Sequence, residues 1–312
     1  MRLLVTGASG FTGTALIQYL AADGTVHITG VTREDRSRPT PVGHVAWVTT
    51  DLLDYDRLSA CLSTARPEAI IHLAGLNHGS PAELFTANAC GTQNLLEAVS
   101  ATVPDCRVLV TSSSAVYGYQ GSSPITEDNP FQPLAVYGAA KAAQDILASM
   151  HYRARGVHVA IARPFNLAGP GQTDIFVCGR IIRQLVECET GTRDAFSLLE
   201  TESSRDFVDV RDAVKAYWSL VTHPRFMEDC AGKAFNIGSG RSYAISDVIA
   251  ILAKITGKTY PVSLPPEPPQ ISLLSQRSDC SRLHRITGWA PQLSLEETLR
   301  DMLAAERART AV

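Results

Sequence analysis

The chain has 312 residues, 45% hydrophobic and 19% charged, a length that suits one α/β unit with a smaller partner and a composition typical of globular proteins. Its 28 Lys and Arg against 31 Asp and Glu leave a net charge of −3, which offers no basic surface for nucleic acid. From the N-terminus, apolar strands are expected over 2–6, 26–31, 45–48, 69–73, 107–112 and 157–162. Helical patterns alternate with them at 12–22, 56–64, 84–103 and 136–154. Such alternation implies a doubly wound parallel sheet with helices on both faces. After Pro164 the pattern shortens: a strand over 207–210, a helix over 211–222 and a late strand over 234–237. Prolines at 261, 265, 266, 268 and 269 predict a rigid loop rather than a helix. The seven cysteines are scattered, with no C-x-x-C and no His/Cys cluster, so reduced thiols are expected, with neither disulfides nor a metal site. No apolar run is long enough to cross a membrane, and Met1 leads straight into a strand. These features read as a cytoplasmic protein without membrane contact.

Two motifs carry chemistry. Leu3-Leu4-Val5 runs into Gly7, Gly10 and Gly13, and an amphipathic segment follows from Thr14. Glycines at a strand-to-helix turn let the backbone approach a pyrophosphate, and free N–H groups at the helix start then hold it. The spacing is G-x-x-G-x-x-G rather than G-x-G-x-x-G. The second motif is Tyr137 and Lys141, four residues apart and so on one face of a helix. A phenol beside an ammonium ionises more easily, which suits a proton donor or acceptor at a hydroxyl or carbonyl.

Together these motifs resemble the extended short-chain dehydrogenases/reductases, the branch that modifies nucleotide-activated sugars. Ordered matches run through Asp51-Leu52, Ile70-Ile71-His72-Leu73-Ala74-Gly75, Asn88 to Ala98, Thr111 to Gly118, Arg163-Pro164-Phe165-Asn166 and Arg205 to Val210. The resemblance implies a Rossmann-type fold with a smaller C-terminal substrate domain. It divides the chain into 1–166 plus 207–238 for the cofactor and 167–206 plus 239–312 for the sugar nucleotide.

It also implies roles. Ser113 would orient the reacting oxygen, ahead of its neighbours Ser112 and Ser114. Tyr137 would be the general acid or base, and Lys141 would lower its pKa and bind the nicotinamide ribose. The cofactor would lie against Gly7, Ser9, Gly10, Phe11, Thr12, Gly13, Asp51, Leu52, Leu73, Ala74, Gly75, Ser112 and Pro164. Asn88, an unfavourable residue inside a helix, would hold that helix open near Lys141 or cap it locally. Thr32 stands where an acid usually reads the ribose of NAD, and Arg33 follows it. That favours NADP over NAD, with Glu34 or Asp35 able to reverse the choice if the strand ends later.

On the substrate side, Arg163 to Gln172, Phe176-Val177 and Arg205-Asp206-Phe207 look like GDP-4-dehydro-6-deoxymannose reductases. Ser113, Ser114, Asn166, Val177, Arg180 and Arg205 would contact the sugar nucleotide, the arginines suiting diphosphate oxygens. Sugar-nucleotide dehydratases carry an Asp-Glu pair where this chain has Ser114 and Ala115, and neither residue can do that acid–base work. The reading is therefore a reductase, with a 4-epimerase as the alternative, and a dehydratase or a non-catalytic cofactor sensor further behind. Helices 84–103 and 136–154 would pair across a two-fold axis in a homodimer.

Overall fold

The computed structural model of the chain describes residues 1–21, 23–34, 45–266 and 275–310. Its first half runs β1 (Arg2–Thr6), α1 (Phe11–Leu20), β2 (His27–Thr32), β3 (Val45–Thr49), α2 (Tyr55–Ala65), β4 (Ala69–His72), α3 (Pro81–Phe85), α4 (Gly91–Thr102), β5 (Arg107–Thr111), α5 (Val136–Arg155) and β6 (Val159–Pro164). The second half runs β7 (Asn166–Ala168), α6 (Val177–Glu189), β8 (Phe196–Ser197), β9 (Ser204–Asp209), α7 (Val210–Val221), β10 (Ala234–Ile237), β11 (Ser242–Ala244), α8 (Ile245–Thr256), β12 (Val262–Ser263), α9 (Ser281–Thr287) and α10 (Leu295–Thr310).

The central sheet has the order β3-β2-β1-β4-β5-β6-β10, and every pair in it is parallel. This is the doubly wound α/β arrangement the alternation predicts. Its inner strands β4 and β6 are buried on both faces, which explains why they read as continuous apolar runs. One face is covered by α1 and α7, through Leu16, Ile17, Val214 and Tyr217. The other is covered by α2, α4 and α5, through Leu58, Leu95, Leu96 and Ala148. Chain order reverses between β1 and β4, and a crevice opens at the carboxyl ends of strands at such a point.

A second unit lies beyond β6. A three-stranded sheet, β7-β9-β11, and the pair β8-β12 pack with α6, α8 and α10 around Ile181, Leu185, Phe207, Val248 and Leu299. Two segments fall on the other side of the expected division. The strand expected over 207–210 in the cofactor domain is β9, which pairs with β7 and β11 instead of joining the central sheet. Alternation explains its position: Phe207 faces the smaller core, while Val208 and Val210 face the larger one. Conversely, α9 was expected in the substrate domain, but Leu283 and Trp289 pack into the central core. The loop expected over 261–269 carries the two-residue strand β12, and 267–274 lie outside the described residues.

The helix expected over 84–103 starts earlier and is interrupted. Ser80 caps α3 in a box with Glu83, with Pro81 as the first helical residue. Residues Thr86–Cys90 then form a π-helical turn before α4. Among the described residues, no helix is long and apolar enough to cross a membrane.

Candidate active site

The carboxyl ends of β1, β2 and β4 border a cleft of about 670 Å³. Gly7, Ser9, Gly10, Thr32, Arg33, Asp51, Leu52, Leu73, Ala74 and Gly75 line it, all of them expected at the cofactor. Gly7 has φ +66°, and a Cβ there would sit 2.8 Å from Ala74 N, so the turn after β1 requires glycine. A Cβ on Gly13 would meet Ala8 O at 2.6 Å, so that glycine lets α1 press onto the same turn. Helix α1 begins at Phe11 with no side-chain cap and no acid in its first turn. Its free N–H groups, including that of Thr12, therefore face the glycine loop without a competing anion. This loop, cleft and helix start fit a dinucleotide. Phe11 turns the other way, towards Gly169 of the second unit. A comparably large hollow of about 700 Å³ lies at the opposite end of the strands, beside Arg2, Arg66 and Arg107, far from these motifs.

Strand β2 ends at Thr32, so Arg33 follows the strand directly. Thr32 is buried and its hydroxyl donates to Glu34 O at 2.8 Å. The Arg33 guanidinium is largely exposed and lies 3.9 Å from Glu34 Oε1. Asp35 falls outside the described residues. One Asp51 oxygen accepts the Leu53 N–H at 2.9 Å, which fixes the carboxylate at the cleft wall. Glu34 and Leu76 also line the cleft. Glu34 was weighed only as a rival to Thr32, and Leu76 carried no sequence signal beyond following Gly75.

Beside Gly75 of this cleft, where a Cβ would lie 3.7 Å from Lys141 Nζ, stands a cluster of candidate reactive groups. Strand β5 delivers three serines in a row, and they separate by function. Ser112 Oγ donates to the Lys141 carbonyl at 3.4 Å. Ser113, in extended backbone, accepts the Ala115 N–H at 3.1 Å, and its hydroxyl lies near enough to the Tyr137 phenol to favour the phenolate. Ser114 is buried and donates to Gln276 Oε1 at 3.3 Å, which links the site to the second unit. Tyr137 and Lys141 lie in the first turns of α5. A Cβ on Gly138 would come 2.5 Å from Ala115 O, so this glycine allows α5 close enough for Tyr137 to meet Ser113.

The electrostatics depart from expectation. Burial pushes the Tyr137 phenol up, and the Ser113 hydroxyl only partly opposes that. Lys141 does not pull it down as expected, because the ammonium is directed elsewhere: Nζ donates to Thr111 O at 2.7 Å and to Gln144 Oε1 at 2.6 Å. Burial pushes Lys141 itself down to about 7, with Asp145 opposing. Tyr137 is thus a protonated acid at neutral pH. Asn88 lies within the π-turn, its Nδ2 donating to Leu84 O at 2.9 Å and Leu76 O at 2.8 Å. Its Oδ1 is buried without a hydrogen-bond partner and points at Gly75.

A profile of the GDP-mannose 4,6 dehydratase family matches residues 4–302. The chain belongs to this family of extended short-chain dehydrogenases/reductases. It is 34% identical to the GDP-6-deoxy-D-mannose reductase of Pseudomonas aeruginosa, over 99% of this chain and 98% of that one. The structure of RMD from Pseudomonas aeruginosa complexed with NADPH superposes with a TM-score of 0.85 at 31% identity, covering 99% of this chain and 100% of the other. The UDP-glucuronic acid 4-epimerase of Bacillus cereus, in complex with UDP-glucuronic acid and NAD, gives a TM-score of 0.85 at 26% identity, with the same coverage.

Within that family framework, Val177, Arg180 and Arg205 lie around the start of α6, while Ser113 and Ser114 stay at the turn after β5. Val177 is its first residue, and the helix has no side-chain cap and no acid in its first turn. Asn166 donates from Nδ2 to Asp206 O at 3.2 Å, which sets it beside Arg205. Arg205 is partly exposed, 4.0 Å from Glu200 Oε1, and close enough to Cys178 on α6 to act on its thiol. Arg180 donates from Nε to Asp174 O at 3.1 Å. Pro164 ends β6, buried behind the cluster. Arg163, expected in a substrate-side segment, is turned away. It is buried against Asp145 at 2.8 and 3.1 Å, donates to Tyr117 Oη at 2.8 Å and stacks on Phe131. A bidentate partner and two aromatic faces satisfy the guanidinium in the core.

Proposed function

We propose that this chain is an NADP(H)-linked reductase of a nucleotide-activated 4-keto-6-deoxy sugar, acting at C4 of a GDP-linked hexose. The observation that carries the reading is the close approach of α5, with Tyr137 and Lys141, to the serine turn after β5, beside Gly75 of the cleft, with Ser114 and Ala115 standing where a dehydratase needs acids. The similarity to GDP-6-deoxy-D-mannose reductase over nearly the whole chain supports it. Bound reduced nicotinamide would supply the hydride. Ser113 would hold the substrate's C4 oxygen, and Tyr137, kept protonated by burial, would give its proton to that oxygen as it gains charge. Lys141 would keep a positive charge near the developing anion. Arg33 would pair with the 2′-phosphate of NADP. Asn166, Val177, Arg180 and Arg205 would hold the diphosphate, with the positive end of α6, whose Gly179 N–H is already taken by Gln172 Oε1, adding to the guanidinium charges. The protein would work in the cytoplasm as a homodimer.

The test is stoichiometry. A reductase consumes one reduced cofactor per turnover, whereas an epimerase regenerates its own. With a GDP-linked 4-keto-6-deoxyhexose, NADPH absorbance should fall in step with product. Interconversion of two 4-hydroxy sugar nucleotides without net NADPH loss would replace this reading with the epimerase.

A further inference from the structure

Lys141 is held from below by a buried chain of side chains that the reaction does not itself require. Its Nζ donates to Gln144 Oε1 at 2.6 Å, and Gln144 Nε2 donates to Thr92 Oγ1 at 2.7 Å. The Thr92 hydroxyl gives its own hydrogen to Asn88 O at 2.6 Å, so towards its other neighbours it can only accept. His72 Nε2, 2.9 Å away, must therefore carry a hydrogen. That leaves Nδ1 bare, and it accepts the Thr6 hydroxyl at 2.6 Å. Thr6 Oγ1 in turn accepts the Ala74 N–H at 3.2 Å. Every direction along the chain is fixed by this count. Thr6, His72, Thr92 and Gln144 are all fully buried, and they sit on four different elements: β1, β4, α4 and α5.

We propose that Gln144 is a positioning residue for Lys141, and that the chain from Gln144 through Thr92 and His72 to Thr6 locks the helix bearing Tyr137 to the turn that begins the glycine loop. The proposal rests on the reading of Lys141 as a partner of Tyr137, and not on which sugar is reduced. Gln144 and Thr111 O fix two of the three ammonium hydrogens, so one remains to be aimed into the cleft. A flexible four-carbon stem is thereby ordered before any ligand arrives. An amide does this without cancelling the charge, as a carboxylate would. The titratable groups facing Lys141 are Asp145 and Tyr137 on its own helix and His72 from β4. Asp145 is tied on both oxygens by Arg163. His72 stays neutral, pushed down to about 3 by burial and then by the Lys141 charge. Gln144 is therefore the neutral contact through which the ammonium can be tuned.

The chain has five lysines, so the purified full-length protein labelled with ¹³Cε-lysine gives a short spectrum in which Lys141→Met assigns the resonance. Its titration is followed in the parent protein, in Gln144→Glu and in Gln144→Leu. The carboxylate should raise the Lys141 midpoint by roughly one pH unit or more, as an opposite charge at contact does. The leucine removes an acceptor from the charged form and should lower it. Gln144→Leu should also cut kcat by about tenfold, on the scale of a displaced catalytic group, with KM for the sugar little changed. A purely structural role would lower the melting temperature of both variants without moving the midpoint in opposite directions. An unchanged midpoint in both overturns the proposal. Should Gln144→Leu fail to fold, an unchanged midpoint in Gln144→Glu overturns it alone. The titration needs no substrate, so opposite shifts in a protein that reduces no sugar support the proposal and reject the proposed function instead.

Discussion

In the proposed reaction Tyr137 and Arg33 would divide the work at the level of single side chains, one acting on the proton and the other on the choice of cofactor. Tyr137 is held up in pKa by burial, so at neutral pH it is an acid and not a base. Tyr137→Phe keeps the ring and removes the proton. Turnover should fall on the order of a hundredfold or more, the scale of a lost acid–base group, while NADPH titrated by fluorescence binds as before. Near-normal turnover would remove Tyr137 from the mechanism. Arg33 follows the sheet at the end of β2, with the exposed Glu34 carboxylate 3.9 Å from its guanidinium. An exposed pair of this kind contributes little and is easily exchanged for a phosphate. Arg33→Ala should therefore weaken NADPH binding much more than NADH binding. Equal losses for both, measured by calorimetry, would show that another residue reads the 2′-phosphate.

Among the elements, α5 does most to assemble the site. It carries Tyr137 and Lys141, and it reaches the serine turn because Gly138 leaves room beside Ala115 O. Gly138→Ala forces helix and turn apart, an overpacking that costs about 1–3 kcal/mol. A lower melting temperature and a marked loss of turnover are both expected, since a small displacement breaks the Ser113–Tyr137 contact. A variant with normal turnover would mean that the approach of α5 does not set this geometry. The π-turn at Thr86–Cys90 acts in the same region. It lets Asn88 bond the Leu76 carbonyl beyond its own helix, tying the loop after β4 to the helix that faces α5. Such turns recur at functional sites.

For the whole molecule, the two cores meet along β7 and β9. Asp206 fastens that junction: its buried carboxylate accepts from Ser239, Gly240 and Ser278, all without a cation. Assembly is the next level. The α3 segment and α5 leave the large apolar side chains Phe85 and Ile146 exposed. Two large apolar side chains on neighbouring helices suit a self-complementary two-fold contact. Light scattering at micromolar concentration should give a dimer mass, and a monomer would reject the pairing.

The sequence alone determined the sheet and the glycine turn, because buried parallel strands are runs of apolar residues and a positive φ admits little but glycine. The spacing of Tyr137 and Lys141 was equally plain, since a helix has a fixed period. The capping box at Ser80 and Glu83 is legible there too, and it puts the start of that helix at Pro81 rather than at 84. What tertiary structure decided lies where partners come from distant elements. Arg163 reads as a free cation until Asp145 and Tyr117 surround it. Strand β9 and helix α9 could not be assigned by period, because each is claimed by the core that folds next to it. The three serines of the turn after β5 are alike in sequence and are separated only by what faces them: the α5 backbone, Tyr137 and Gln276. The charge on Lys141 is decided in the same way. Its distance from Tyr137 along the helix is local, but burial and the carbonyl and amide that take its hydrogens belong to the fold.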